Sequence, residues 1–193
     1  TLRTRPEIGP SMIRVTLLSH SPEPMRSLYM AYRTCYSALT PQQVFARIDD
    51  DRITEEQMRG FIEERLKTGH ASPLEQVYFE FGISGVSRAF SHQFVRHRVG
   101  ISFEQQSQRY VTYKGGEFPY TIPDTVKKAG MDGKMEELFG RVGELYEELV
   151  AAGVPAEDAR FLLPNATNTN FKITVNFQSL LHICDLRLCT RAQ

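Results

Sequence analysis

The stretch Arg96-His97-Arg98-Val99-Gly100-Ile101-Ser102-Phe103-Glu104-Gln105-Gln106-Ser107-Gln108-Arg109 governs the reading of the whole chain. Between His92 and Lys114 stand the permanent cations Arg96, Arg98, Arg109 and Lys114, two histidines and a single acid, Glu104. The chain as a whole is neutral, with 23 basic against 23 acidic side chains. An anion-binding surface must therefore come from local clustering, and this is where clustering occurs. The interleaved Gln93, Gln105, Gln106 and Gln108, with Ser107, both donate and accept hydrogen bonds, which suits the edge of a nucleobase. Arginine adds bidentate grip on phosphate and stacks on aromatic rings. The spacing predicts a helix over residues 87–98, so that Gln93, Arg96 and His97 share one side and Arg98 points away. Gly100 would then release the chain into a loop.

Working outward, residues 12–18 read as a first strand and Pro24–Tyr36 as a helix. Residues 54–67 read as a helix capped by Thr54, with Met58, Phe61, Ile62 and Leu66 on one face and Gly69 ending it. Residues 77–83 carry the β-branched and aromatic content of a strand. Residues 110–132, rich in Gly, Pro and Tyr, read as a long surface excursion with short strands. An amphipathic helix follows over 134–152, with Met135, Leu138, Phe139, Val142, Leu145, Tyr146 and Leu149 at helical spacing. Pro155 opens a short helix over 156–162 that Pro164 stops. Residues 171–177 alternate like a strand, and 179–189 form a last helix with Leu180, Ile183 and Leu186 on its apolar face.

Helices and strands thus alternate without a regular βαβ rhythm and without a G-x-G-x-x-G turn. The fold class is α/β of the α+β type, a mixed domain with a central antiparallel sheet flanked by helices. No apolar run approaches the roughly 20 residues that cross a bilayer, and no signal-peptide layout opens the chain, so a cytoplasmic protein is expected. Residues 1–11 read as a tag or extension before a native start at Met12, and 12–193 as a single domain, with a truncated C-terminus expected. Cys35, Cys184 and Cys189 show no CxxC spacing, which argues for reduced thiols and against a zinc site. Cys35 is expected to be a small buried apolar residue.

R-H-R followed by a short spacer and S-x-R resembles the signature of the flavin-dependent thymidylate synthases. Gly69-His70-Ala71-Ser72-Pro73-Leu74-Glu75 looks like that family's G-H-x-[ST]-P-x-E element, and Ala159-Arg160-Phe161-Leu162-Leu163-Pro164 like its A-R-x-x-L-P. Thr174-Val175-Asn176 through Leu186-Arg187 looks like its strand-then-helix segment. The resemblance implies a homotetramer with active sites shared between subunits. It also implies FAD as cofactor, with NADPH and methylenetetrahydrofolate as co-substrates, and conversion of dUMP to dTMP.

By the same resemblance, Ser72, Arg96, His97, Arg98, Gln105, Asn176, Gln178 and His182 bind FAD. Gln93, Arg96, Gln105, Gln106, Ser107, Gln108, Arg109 and Arg160 surround dUMP. Arg187 meets the uracil edge as the catalytic group, because a guanidinium there stabilises the anionic ring that methylation at C5 requires. Ser107 is then a binding residue, since no local base activates it. Three positions depart from the family pattern. The spacer before Ser107 is one residue longer, Gln178 stands where relatives often carry arginine, and Asn170 replaces an arginine before the strand. Which of Glu104 and Gln105 meets a ligand is open. Two rival readings are a single-stranded nucleic-acid-binding module, weakened by the zero net charge, and a flavin reductase without methyl transfer.

Overall fold

The computed structural model describes residues 12–50 and 52–189. The expected extension at 1–11 and the question of a truncated C-terminus, which concerns 190–193, lie outside the described residues. Along the chain run β1 (Arg14–His20), α1 (Pro24–Tyr36), α2 (Pro41–Asp49), α3 (Glu55–Lys67), a 3-10 turn at Ser72–Gln76, β2 (Tyr78–Ser87) and α4 (Arg88–Phe94). They are followed by β3 (Ile101–Gln105), α5 (Asp124–Lys128), α6 (Asp132–Ala151), α7 (Ala156–Ala159), β4 (Asn168–Asn176) and α8 (Phe177–Arg187).

The strands form one sheet in the order β1-β2-β4-β3. Their pairings run antiparallel. The Ser21 amide, just past β1, donates to the Tyr78 carbonyl at the start of β2. Arg88 N donates to Thr167 O, while Thr174 Oγ1 donates to Glu80. Gln106 N donates to Asn170 O, and Asn176 N to Gly100 O. The mixed α/β reading built on an antiparallel sheet is borne out.

Two compact units divide the chain, and each strand contributes residues to both. Residues 12–16, Gly82–Arg96 and Phe103–Lys172 form the first unit; Leu17–Phe81, His97–Ser102 and 173–189 form the second. In the second unit α1, α2 and α3 enclose Leu28, Tyr29, Tyr32, Val44, Ile48, Met58 and Ile62, with Leu74 and Val77 completing the cluster. Both α2 and α3 open on a reciprocal capping box, Thr40 with Gln43 and Thr54 with Gln57. Such a box satisfies two otherwise orphaned amides at each helix start. In the first unit Phe94, Phe103 and Phe171 meet edge to face at 5.2–6.1 Å. Phe118, Ile122 and Phe139 form a further core there.

Several expected elements need correction. The helix predicted over 87–98 stops at Phe94, with Ser87 as its cap. Residues 101–105, expected as loop, form β3. Residues 110–132 are not merely a surface excursion, because Phe118 and Ile122 are core residues. Leu66, Leu138, Leu145 and Leu186 sit on predicted apolar stripes but are exposed, since α3 and α6 bury narrower faces than their hydrophobic spacing suggests and no residue of α8 is fully buried. Cys35 is exposed as well; Tyr29 and Tyr32 take the inward positions of α1.

Candidate active site

β3 alternates, with Ile101, Phe103 and Gln105 half-buried and Ser102 and Glu104 exposed. The pleat thus turns Gln105 inward and Glu104 to solvent. Gln105 Nε2 donates to Thr169 Oγ1 at 3.1 Å. One residue on, Asn170 Nδ2 donates to Gln106 Oε1 at 2.7 Å, and Gly85 N–H donates to Asn170 Oδ1 at 3.2 Å. Because a backbone amide can only donate, the Gly85 contact fixes which end of the Asn170 amide is oxygen. The polarity carries along the ladder. Gln106 uses its oxygen on Asn170, which makes its Nε2 the end left to face a ligand.

The arginines of the first unit divide into paired and unpaired. Arg109 lays Nε and Nη2 on one Glu157 oxygen at 2.9 and 2.8 Å. Arg160 Nε donates to the Glu157 carbonyl at 2.9 Å. Arg88 is the first residue of α4 and is half-buried. A cation at a helix N-terminus meets the positive end of the helix dipole. Burial lowers the proton affinity of the Arg88 guanidinium, Tyr113 opposes that effect, and Arg160 adds to it. Among the described residues neither Arg88 nor Arg160 forms an ion pair. Two adjoining guanidiniums, one of them partly desolvated, are an unfavourable arrangement that a bound anion would relieve. Beside them burial raises the Tyr113 phenol, against a smaller opposing effect from Gln108. Gln108 lies next to that hydroxyl, yet its Nε2 is buried without a hydrogen bond of good geometry.

In the second unit the chain after Arg96 is clamped to α8. Asn176 Oδ1 caps the helix by accepting from Ser179 N at 2.8 Å, and Ser179 Oγ donates to Val99 O at 2.7 Å. Asn176 N donates to Gly100 O at 2.8 Å. Gly100 has φ +65°, and a Cβ there would run into the Asn176 side chain and the Ser179 hydroxyl. Only glycine meets both demands. At the far end of α8, Arg187 Nε donates to His97 Nε2 at 3.2 Å. Accepting there makes His97 a neutral imidazole protonated on Nδ1. Burial lowers its proton affinity, with Arg187 and His182 adding to the effect. Ser72 Oγ lies 3.1 Å from His70 Nε2, and Gln178 Oε1 is buried without a partner. Arg98 and His182 are exposed.

The predicted side-sharing of Gln93, Arg96 and His97 on one helix does not occur. Gln93 lies in the last turn of α4 and Arg96 in the turn that closes it, where its amide donates to Gln93 O at 3.3 Å. His97 and Arg98 follow in non-helical chain, because residues 99–100 must bond to Asn176 and Ser179. The structure therefore brings together His97, His182 and Arg187, then Gln105 and Gln106 with β4, and Arg109 with Arg160. Arg88 and the partners Thr169 and Asn170 were not among the predicted ligand-binding residues. A cation directly after the capping Ser87, where an acid is the favourable choice, was the available signal for Arg88.

The family described as thymidylate synthase complementing protein matches residues 16–193. A flavin-dependent thymidylate synthase from Geobacter sulfurreducens is 40% identical over 182 residues, covering 94% of this chain and 76% of the relative. The enzyme of that name from Nitratidesulfovibrio vulgaris is 42% identical over 189 residues, covering 93% and 76%. This chain belongs to the flavin-dependent thymidylate synthase family. A crystal structure of a UMP/dUMP methylase from Streptomyces cacaoi, bound with 5-Br dUMP, shares the fold with TM-score 0.74 at 22% identity, covering 92% of this chain and 78% of that one. The second unit offers one acceptor and two donors of a chemistry that fits the flavin in the family's name. Gln178 offers a buried, unsatisfied Oε1, Ser72 an exposed hydroxyl, and Arg98 a solvent-facing guanidinium.

Proposed function

We propose that this chain catalyses the reductive methylation of dUMP to dTMP, with FAD bound and with NADPH and methylenetetrahydrofolate as co-substrates. It would do so in the cytoplasm as a homotetramer whose active sites draw on several subunits. The single observation that carries the nucleotide half of this reading is the half-buried Arg88 beside Arg160, neither in an ion pair among the described residues. A nucleotide phosphate is the anion that fits. Arg109 joins them by exchanging Glu157 for the phosphate, a small cost, since an exposed ion pair is worth about 0–1 kcal/mol. Gln93, Arg96, Gln105, Gln106 and Gln108 take the nucleoside. Ser107 binds rather than attacks; its Oγ accepts the Arg109 amide at 3.2 Å.

Ser72, Arg96, His97, Arg98, Gln105, Asn176, Gln178 and His182 hold FAD in this reading. The bound flavin supplies hydride chemistry. Arg187 stabilises negative charge on the uracil ring, which raises electron density at C5. His97 accepts the Arg187 Nε hydrogen and so holds the guanidinium in one orientation. Cys35 has no part in the chemistry.

Purified protein should carry flavin absorbance near stoichiometry and form dTMP only when dUMP, methylenetetrahydrofolate and NADPH are all present. NADPH oxidation with bound flavin but no dTMP would replace the reading with that of a flavin reductase. Absence of both flavin and nucleotide binding would return the chain to a nucleic-acid-binding reading.

A further inference from the structure

A hydrogen-bonded line runs from the end of α1 to Ser72 in the 3-10 turn of the second unit. Tyr36 Oη lies 2.9 Å from His70 Nδ1, and His70 Nε2 lies 3.1 Å from Ser72 Oγ. The imidazole between them is fixed in place. The fully buried Tyr32 donates its hydroxyl to the His70 carbonyl at 2.8 Å, and the rings of Tyr32 and Tyr36 both meet the imidazole edge to face at 5.5 Å. The Arg65 guanidinium covers the Tyr36 ring at 4.9 Å, which holds that end.

A neutral imidazole has one N–H and one acceptor nitrogen, so only two proton arrangements complete the line. In one, Tyr36 donates to Nδ1, Nε2–H donates to Ser72 Oγ, and the serine proton points away from the line. In the other, the order is reversed and the tyrosine proton points away. The phenol is the more acidic hydroxyl and hence the better donor, which favours the first. Ser72 is exposed at the start of the 3-10 turn, so in that arrangement its proton is offered to a ligand.

We infer that Tyr36 is a positioning residue that acts through His70 to turn Ser72 into a hydrogen-bond donor toward an acceptor oxygen of the flavin nucleotide. This rests on the proposed assignment of Ser72 to flavin binding. Tyr36→Phe removes one oxygen and keeps the ring packing.

FAD titration of protein stripped of flavin, as wild type, Tyr36→Phe, Ser72→Ala and the double variant, tests the inference, with thermal melts confirming that each variant folds. Losing one such bond should raise the FAD Kd roughly 5–10-fold in each single variant. The double variant should bind no worse than Ser72→Ala alone. In 15N NMR of histidine-labelled protein, His70 should show a pyrrole-type Nε2 and a pyridine-type Nδ1. An unchanged Kd in Tyr36→Phe, additive losses in the double variant, or a proton on Nδ1 would each overturn the inference while leaving flavin binding intact. A wild-type protein that binds no FAD overturns the flavin assignment and this inference with it.

Discussion

The two units bear their polar clusters in contrasting ways. In the first, the amides of Gln105 and Gln106 are tied to Thr169 and Asn170 on β4, while Arg88 and Arg160 stand without ion pairs among the described residues. In the second, the key groups are joined to one another: His97 to Arg187, Asn176 to Ser179, Ser179 to Val99. The first cluster carries uncompensated charge on a rigid strand frame, which suits capture of a phosphate. The second is internally hydrogen-bonded and centred on a neutral histidine, which suits orientation of a single arginine. On the proposed reading, charge for binding and geometry for chemistry are supplied by different parts of the fold.

Arg187→Ala probes the second cluster and should give the largest effect. Loss of a preorganised group that stabilises transition-state charge costs about 100–1000-fold in kcat. The dUMP Kd should change little, and steady-state kinetics beside nucleotide titration separate the two. A pure rise in KM would assign Arg187 to binding and erase the contrast between the clusters.

Arg88→Ala probes the first. Removing a partly desolvated cation from a phosphate should weaken dUMP binding by roughly 30–100-fold, and the loss should shrink as salt rises. An unchanged Kd by calorimetry would mean that the Arg88–Arg160 pair is not the phosphate site.

Gly100→Ala tests whether the second cluster depends on its clamp. The positive φ costs about 1–2 kcal/mol for a residue with a Cβ, and displacing the Asn176 cap costs about 1 kcal/mol more. The melting temperature should fall by roughly 5–10 °C, which differential scanning calorimetry would detect.

The smallest effect is on pH dependence. His97 is held below the ordinary histidine value by burial and by Arg187 and His182, so it binds its proton more weakly folded than unfolded. Its contribution to stability is therefore complete above about pH 6.5 and is lost as the pH falls below that value. Melting temperatures of wild type and His97→Gln should run parallel above neutrality, with the wild type losing more on acidification. Parallel curves throughout would show that His97 does not titrate in this range.

Much of this contrast was legible in the sequence, and what was not has physical causes. The α1 limits were read directly, and Thr54 was recognised as the cap of α3, because a proline and a capping box are local signals. The equivalent box at Thr40 and Gln43 went unread, and α2 with it, although Pro41 marks its first turn. β3 is not legible as a strand, since five residues including Ser102, Glu104 and Gln105 have little strand content until Phe94 and Phe171 supply partners for Phe103. Gln105 and Gln106 were legible as amides of the proposed site. Their polarity was not, because it depends on β-sheet register, which brings Thr169 and Asn170 opposite them. Arg88 escaped notice because its meaning lies in neighbours distant in sequence, Tyr113 and Arg160.

Release of tritium from [5-3H]dUMP is the most direct measure of the central claim. With FAD, NADPH and methylenetetrahydrofolate present, the account predicts release that accompanies dTMP formation and disappears when the flavin is removed or Arg187 is replaced by alanine. Protein that binds both flavin and dUMP yet releases no tritium would contradict it.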